Sequence, residues 1–293
     1  MKVGVGLPAI SGISGQLVLD WAKKVDAGPF SSLGSIDRIA YGNYESLIMH
    51  AAATGITQKV RLMTSILLAP LRNAGVLAKQ TATLDAISGG RLTLGLAVGG
   101  REDDYRAAPA SFRDRAKRFE EQLSLMKRIW SGQPVGDVVG LVGPAPHQSD
   151  GPEVLIGGAS PAAIRRVGQW ADGFISVPLA PDQVRQLYGA AEQSWQEQGK
   201  PGKPRLAMGL YYRLGSNTAQ RSEAYIRDYY AFAGPVAEQV VQGIISTPEA
   251  MKGAIQVYES VGVDEIIFWP TVAELDQIDR LADVVAQVAA TPG

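Results

Sequence analysis

The sequence predicts an α/β fold, a (β/α)8 TIM barrel with insertions at its C-terminal mouth, built as one domain over residues 1–293. Two observations predict it. Short β-rich runs alternate with longer stretches of helical period, the signature of βα units around a parallel sheet. Eight such runs occur, and barrels of this kind hold about 250 residues around one core.

In order, the strand candidates are Val3–Leu7, Ser35–Ala40, Val60–Leu67, Arg91–Ala97, Val154–Gly157, Gly173–Val177, Leu206–Tyr212 and Glu265–Trp269. The clearest helix is Ser111–Ser131, where Phe112, Ala116, Phe119, Leu123, Met126 and Trp130 recur at steps of three and four and mark one core-facing side. Ser46–Gly55, Ala74–Ile87, Pro161–Trp170, Pro181–Gln198, Pro248–Val261 and Val272–Ala289 are the other expected helices, each opened by a residue suited to a helix start. Gly132–Pro152, rich in Gly and Pro, reads as a long connection. Ser216–Ser246, with Tyr225, Tyr229, Tyr230 and Phe232, is an insert that either covers the mouth or packs as core or subunit interface.

Composition removes several classes of function. Hydrophobic residues make up 46% and charged residues 19%, enough for a large core. The net charge is −1 with no basic run, so nucleic acid is not an expected partner. Absence of cysteine excludes disulfides, thiolate nucleophiles and cysteine-held metal centres. No segment has the roughly 20 apolar residues of a membrane span, and the N-terminus lacks the pattern of a signal peptide, so a cytoplasmic protein without membrane contact is expected.

In a barrel the reacting groups follow the strands. No lysine does so here, which argues against Schiff-base aldolase chemistry. The two histidines, His50 and His147, are too few for a histidine-rich metal site, and each reads as a packing or solvent-facing residue. Gly4–Ala9 imitates a dinucleotide fingerprint, but its glycines lie within the strand, so small residues near a ligand or tight packing are the better meaning.

The run Leu84-Asp-Ala-Ile-Ser-Gly-Gly-Arg-Leu-Thr-Leu-Gly-Leu-Ala-Val-Gly-Gly100 is far more specific, placing a helix end, a Gly-Gly turn, a strand and a second Gly-Gly in one segment. It resembles the luciferase-like superfamily of flavin- and coenzyme F420-dependent oxidoreductases. Val60–Pro70, Arg118–Gly132 and Val154–Gly158 leading to Ala171–Phe174 agree in order and spacing. The resemblance is strongest over residues 37–132 and 153–174.

That resemblance implies a cofactor at the C-terminal mouth and a non-prolyl cis peptide between Ser65 and Ile66 supporting one face of its ring; the alternative is an ordinary strand end. It implies that Asp37 matches an Asp that hydrogen-bonds the deazaflavin ring in F420-dependent relatives, many of which follow that Asp with a catalytic His. This sequence has Arg38 instead. Arg38 either steadies an anionic reduced flavin or a substrate carboxylate, or pairs with Asp37 or Glu45 as structure. Asp37 and Arg38 are therefore the catalytic candidates.

Val98, Gly99 and Gly100 are expected to let the cofactor approach the fourth strand. Gly157, Gly158, Ala159 and Ser160, ahead of Pro161, offer backbone amides to a phosphate or else pack tightly. Arg101–Asp104 supplies charge at the rim, where Glu102 is a possible base or part of a solvated run.

The reading is a flavin-dependent monooxygenase that uses reduced FMN and oxygen on a small hydrophobic organic substrate, the flavin being supplied by a separate reductase. An F420-dependent hydride-transferring oxidoreductase is the second reading. A non-catalytic flavin-binding or partner subunit is the third, permitted by Arg38 in place of His. Loops 8–13 and Tyr41, Tyr211–Arg213 and Trp269 are expected to make an apolar, aromatic pocket, and a homodimer is expected.

Overall fold

The computed structural model describes residues 1–137 and 140–290; two positions of the Gly132–Pro152 connection, 138–139, lie outside it. Eight parallel strands close in sequence order: β1 (Lys2–Gly6), β2 (Ser32–Ser35), β3 (Arg61–Leu68), β4 (Leu92–Ala97), β5 (Glu153–Gly157), β6 (Gly173–Ser176), β7 (Arg205–Tyr212) and β8 (Glu265–Pro270). The ladder is completed by β1 against β8, with Val3 opposite Ile266.

The strands alternate as a barrel requires, one set of side chains turned inward and the other toward the helices. Along β8, Ile266 and Phe268 pack with the helices, while Ile267 and Trp269 join Met63, Leu155, Ile175, Ala207 and Tyr211 inside the barrel.

Helices α1 (Gly15–Ala27), α2 (Ser46–Thr54), α3 (Ala74–Ile87), α4 (Glu102–Ala107), α5 (Arg115–Trp130), α6 (Pro161–Trp170), α7 (Pro181–Glu197), α8 (Ala219–Tyr229), α9 (Val236–Gln242), α10 (Pro248–Ser260) and α11 (Asp276–Ala290) lie between and after the strands. The bounds of α3 and α6 are those expected, because Asn73 and Ser160 cap their first turns through the side chain. Missing from the expected helices are the short α4 and also α1, although Ser14 caps α1 and Val18, Trp21, Ala22 and Val25 are buried at helical spacing.

The second strand corrects the reading. It is Ser32–Ser35, not Ser35–Ala40: Leu33 pairs with Leu62 and Ser35 with Thr64, and the ladder stops there. The segment that follows is coil whose amides find another acceptor, since Ile39 and Ala40 donate to Asp104 Oδ1 at 2.9 and 2.8 Å. Asp104 is therefore fully buried within α4, and the Arg101–Asp104 segment is not a solvated charge run. Glu102 does face solvent, beside Arg106.

At the N-terminal end of the barrel Arg205 bridges Glu153 and the buried Glu265, and Ser32 donates to Glu265 at 2.7 Å. His147 is exposed, whereas His50 is buried under β2 and β3, its Nε2 2.8 Å from Ser35 Oγ and 3.2 Å from the Met63 carbonyl. Burial lowers the His50 pKa to about 4, so it is a neutral packing residue near pH 7.

Candidate active site

The ends of β3, β4 and β5 form a cleft of about 440 Å³ at the C-terminal mouth. Its floor is the Ser65–Ile66 peptide, which is cis, at a point where the β3–β4 register shifts between Thr64 and Leu67. The Ile66 side chain fills the space that a Cβ at Gly157 would need, so Gly157 is explained by packing as well as by position.

Val98, Gly99 and Gly100 form one wall; Gly99 has φ +73° and a Cβ at Gly100 would meet only open space. Gly158, at φ +123°, and Ser160 form another, where Ser160 Oγ accepts from the Ala163 amide to open α6. Arg166, one turn into the same helix, is buried against the cleft and is held by Glu120 at 2.9 Å. Ala159 is exposed and borders a separate groove between α6 and α7, so it does not join the cleft.

The two catalytic candidates separate. Asp37 lines the cleft, but its carboxylate is occupied: it accepts from the Leu68 amide at 2.8 Å and from Arg72 Nη1 and Nη2 at 2.7 and 3.0 Å. Burial by itself would lower the Arg72 pKa; its bonds to Asp37 and Glu45 outweigh burial and raise it. The partner of Asp37 and Glu45 is thus Arg72 and not Arg38.

Arg38 is buried away from the cleft, with Nη1 donating to the Tyr229 carbonyl at 2.6 Å and the guanidinium 4.7 to 5.4 Å from the ring centres of Tyr41, Tyr229 and Phe232. Besides Arg166, the cation that reaches the cleft is Arg101, whose Nε donates to Asp104 Oδ2 at 2.7 Å. No feature of the isolated Arg101–Asp104 run distinguishes this inward cation from a surface one, because burial of Asp104 comes from the loop after β2.

Below the cleft, and continuous with it through Ile36, Ser65, Ile66, Arg101, Tyr229 and Tyr230, is an inner chamber of about 150 Å³. Trp269 lies across its base. The indole fits only because the neighbouring strands present glycine: Cβ atoms at Gly6 and Gly209 would overlap the ring, and one at Gly34 would stand 2.8 Å from it. The glycines of β1 thereby serve tight packing at the barrel. Tyr211 joins Trp269 here as expected, whereas Arg213 and residues 8–13 do not line the chamber.

The insert after β7 closes the mouth from above. Tyr229 and Tyr230, from the end of α8 and the residue after it, line both spaces, and Phe232 reaches the cleft. Tyr41 Oη donates to Asp228 at 2.6 Å and Arg38 clasps the Tyr229 carbonyl, which tie the insert to the loop after β2. Tyr225 of the same helix is core. The insert is thus both cover and core.

A closed parallel barrel with a cofactor-sized cleft on a cis strand end, glycine walls and a helix N-terminus defines a class of redox barrel. The chain belongs to the luciferase-like monooxygenase family, whose profile matches residues 5–291, and is an oxidoreductase of the flavin- or F420-dependent kind. It is 27% identical over 208 residues to an uncharacterized protein of Mycobacterium tuberculosis, covering 61% of this chain and 71% of that one. It is 28% identical over 147 residues to the phthiodiolone/phenolphthiodiolone dimycocerosates ketoreductase of Mycobacterium bovis, covering 46% of this chain and 38% of that enzyme.

Among solved structures, the monooxygenase RslO1 of Streptomyces bottropensis superposes with a TM-score of 0.82 at 21% identity, over 99% of this chain and all of that one. An F420-dependent secondary alcohol dehydrogenase does so at 0.81 and 19% identity, over 98% of each chain. These likenesses establish the fold. Among the described residues no helix is long and apolar enough to cross a membrane.

Proposed function

We propose that the protein is a monooxygenase that takes reduced FMN and oxygen and acts on a small hydrophobic organic molecule. The observation that carries the choice of FMN is the state of Asp37. The deazaflavin contact implied for F420-dependent relatives needs a carboxylate turned to the ring, and Asp37 instead commits both oxygens, and three of about four acceptor sites, to Leu68 and Arg72.

The residues fit a flavin. The Ser65–Ile66 floor would meet one face of the ring, Val98, Gly99 and Gly100 would border it, and Ser160 with the first turn of α6 and Arg166 would take a phosphate. Reduced flavin, when bound, supplies the electrons with which oxygen is activated. The protein's own part is to bind, to orient and to exclude water: Tyr229, Tyr230 and Phe232 cover the cleft, and the chamber over Trp269 presents substrate next to its floor.

Lacking a nicotinamide fingerprint, the barrel would receive reduced flavin from a separate reductase. A homodimer is part of the same proposal: Ile48 and Val76, 67% and 55% exposed on α2 and α3, are apolar residues that a second copy would cover.

Titration of the purified chain with FMN and F420, each oxidised and reduced, tests the reading. Tight binding of reduced FMN, followed by oxygen consumption, is the expected result. A preference for F420 would make hydride transfer the activity, and binding of neither would leave the third reading, a non-catalytic partner subunit.

A further inference from the structure

We propose that the hydroxyl pair of Tyr211 and Tyr230 is the donor that orients substrate in this protein, and that the inner chamber selects a small, uncharged molecule presenting one acceptor oxygen. The inference rests on the cleft beside the chamber being the cofactor site.

The argument begins with counting protons. Tyr211 Oη and Tyr230 Oη lie 3.0 Å apart, and among the described residues neither has another hydrogen-bond partner. Two hydroxyls bonded to each other use one proton between them and leave the second to give. Both residues line the chamber, Tyr230 at its junction with the cleft and Tyr211 on the chamber side alone. Burial raises the pKa of both, Tyr211 well above its ordinary value, so the pair stays protonated near neutrality and acts as a donor.

Other polar groups of the chamber are committed. Ser176 Oγ donates to the Val177 carbonyl at 2.8 Å. Arg101 is held by Asp104 Oδ2 at 2.7 Å and reaches the Asp37 carbonyl at 3.4 Å, so its charge is compensated and an anionic ligand has no free cation to meet. Two groups remain: Ser65, at the boundary with the cleft, and the Tyr229 hydroxyl, which takes a hydrogen bond from Arg101. The rest of the surface is apolar, with Ile36, Ile66, Ile175, Val177 and Pro178, apart from the indole N–H at the edge of Trp269, which lies against Gly209 of β7.

Size sets the limit. A volume of about 150 Å³ is that of an apolar cavity that admits benzene, so one six-membered ring is what the chamber holds of a substrate, beside the cleft into which it opens. A donor left unsatisfied in such surroundings is costly, which makes the site reject a hydrocarbon of the same shape.

The test uses the full-length chain and two probes of equal shape, cyclohexanone and methylenecyclohexane, which differ in the acceptor oxygen. Saturation-transfer NMR should give cyclohexanone at least about tenfold the affinity of the hydrocarbon, and infrared spectra should show the bound carbonyl stretch moved to lower frequency. The double variant Tyr211→Phe/Tyr230→Phe should abolish both the preference and the shift, whereas Ser65→Ala should retain them.

Equal affinities, no binding of cyclohexanone, or an unshifted wild-type carbonyl each overturn the proposal, the last without need of a folded double variant. Loss of the preference in Ser65→Ala alone does so as well. The flavin titration reports separately: flavin bound without ketone preference defeats only this inference, and ketone preference without flavin binding defeats only the reading of the cleft.

Discussion

Asp37 and Arg72, 35 positions apart, meet in a two-pronged ion pair that joins the loop after β2 to the end of β3, with Arg72 Nη1 2.7 Å from Oδ2 and Nη2 3.0 Å from Oδ1. The same carboxylate accepts the Leu68 amide two residues beyond the cis bond. Asp37 therefore acts on the cleft by holding the strand end that forms its floor.

Removing the cation should be costly. Arg72→Met leaves Asp37 buried and uncompensated, and a loss of about 3 kcal/mol in unfolding free energy is expected from chemical denaturation. Asp37→Asn, which keeps an acceptor for Leu68, should cost less stability but weaken FMN binding by roughly tenfold, a displacement of about 1.4 kcal/mol. Unchanged FMN affinity in Asp37→Asn would mean that the floor does not depend on the pair.

Arg38 should behave as a clasp for the insert. Its guanidinium sits among Tyr41, Tyr229 and Phe232 and bonds the Tyr229 carbonyl. Arg38→Ala should loosen α8, seen as faster proteolytic cutting between residues 216 and 246. Arg38→His, which installs the residue common in relatives, should not create a proton donor in the cleft, so the pH profile of any turnover should stay as in the parent.

Gly209→Ala tests the seat of Trp269. The added methyl would overlap the indole, which lines the chamber. Overpacking of this kind costs about 1–3 kcal/mol. A shifted tryptophan emission together with weaker cyclohexanone binding is the expected pair of readings.

His50 predicts an acid-side loss of stability. Buried and neutral, with its pKa lowered to about 4, it takes up a proton in the unfolded chain before it does in the folded one. The unfolded state is therefore favoured as pH falls from about 6.5, and the loss is complete near the folded pKa, amounting to about 3 kcal/mol from this group. Urea midpoints measured from pH 7 to pH 4 should fall less steeply in His50→Gln than in the parent. Parallel curves would assign the acid sensitivity to carboxylates.

The sequence alone determined the barrel, because alternation of β and helical periods is a local property that eight units repeat. Val98–Gly100, Gly157, Gly158 and Ser160 were legible at the cleft too, since glycines and caps follow strands in a readable order, while the Ser65–Ile66 floor was legible through the resemblance and Ala159 turned to another groove. β2 was misread because Ser35–Ala40, with Ile36, Ile39 and Ala40, has the look of a strand end; the Ile39 and Ala40 amides are claimed by Asp104, which the chain supplies 64 residues beyond Ala40.

Only tertiary structure decided which charges face the cleft. Asp37 could have met Arg38 beside it or Arg72, and Arg101 could have been solvated; these outcomes turn on loops from different strands converging at one mouth. The Tyr211–Tyr230 pair is of the same kind. Tyrosines on a strand and at the end of a helix carry no mark of being partners, and burial by the closing insert is what brings their hydroxyls within 3.0 Å and leaves one proton to give.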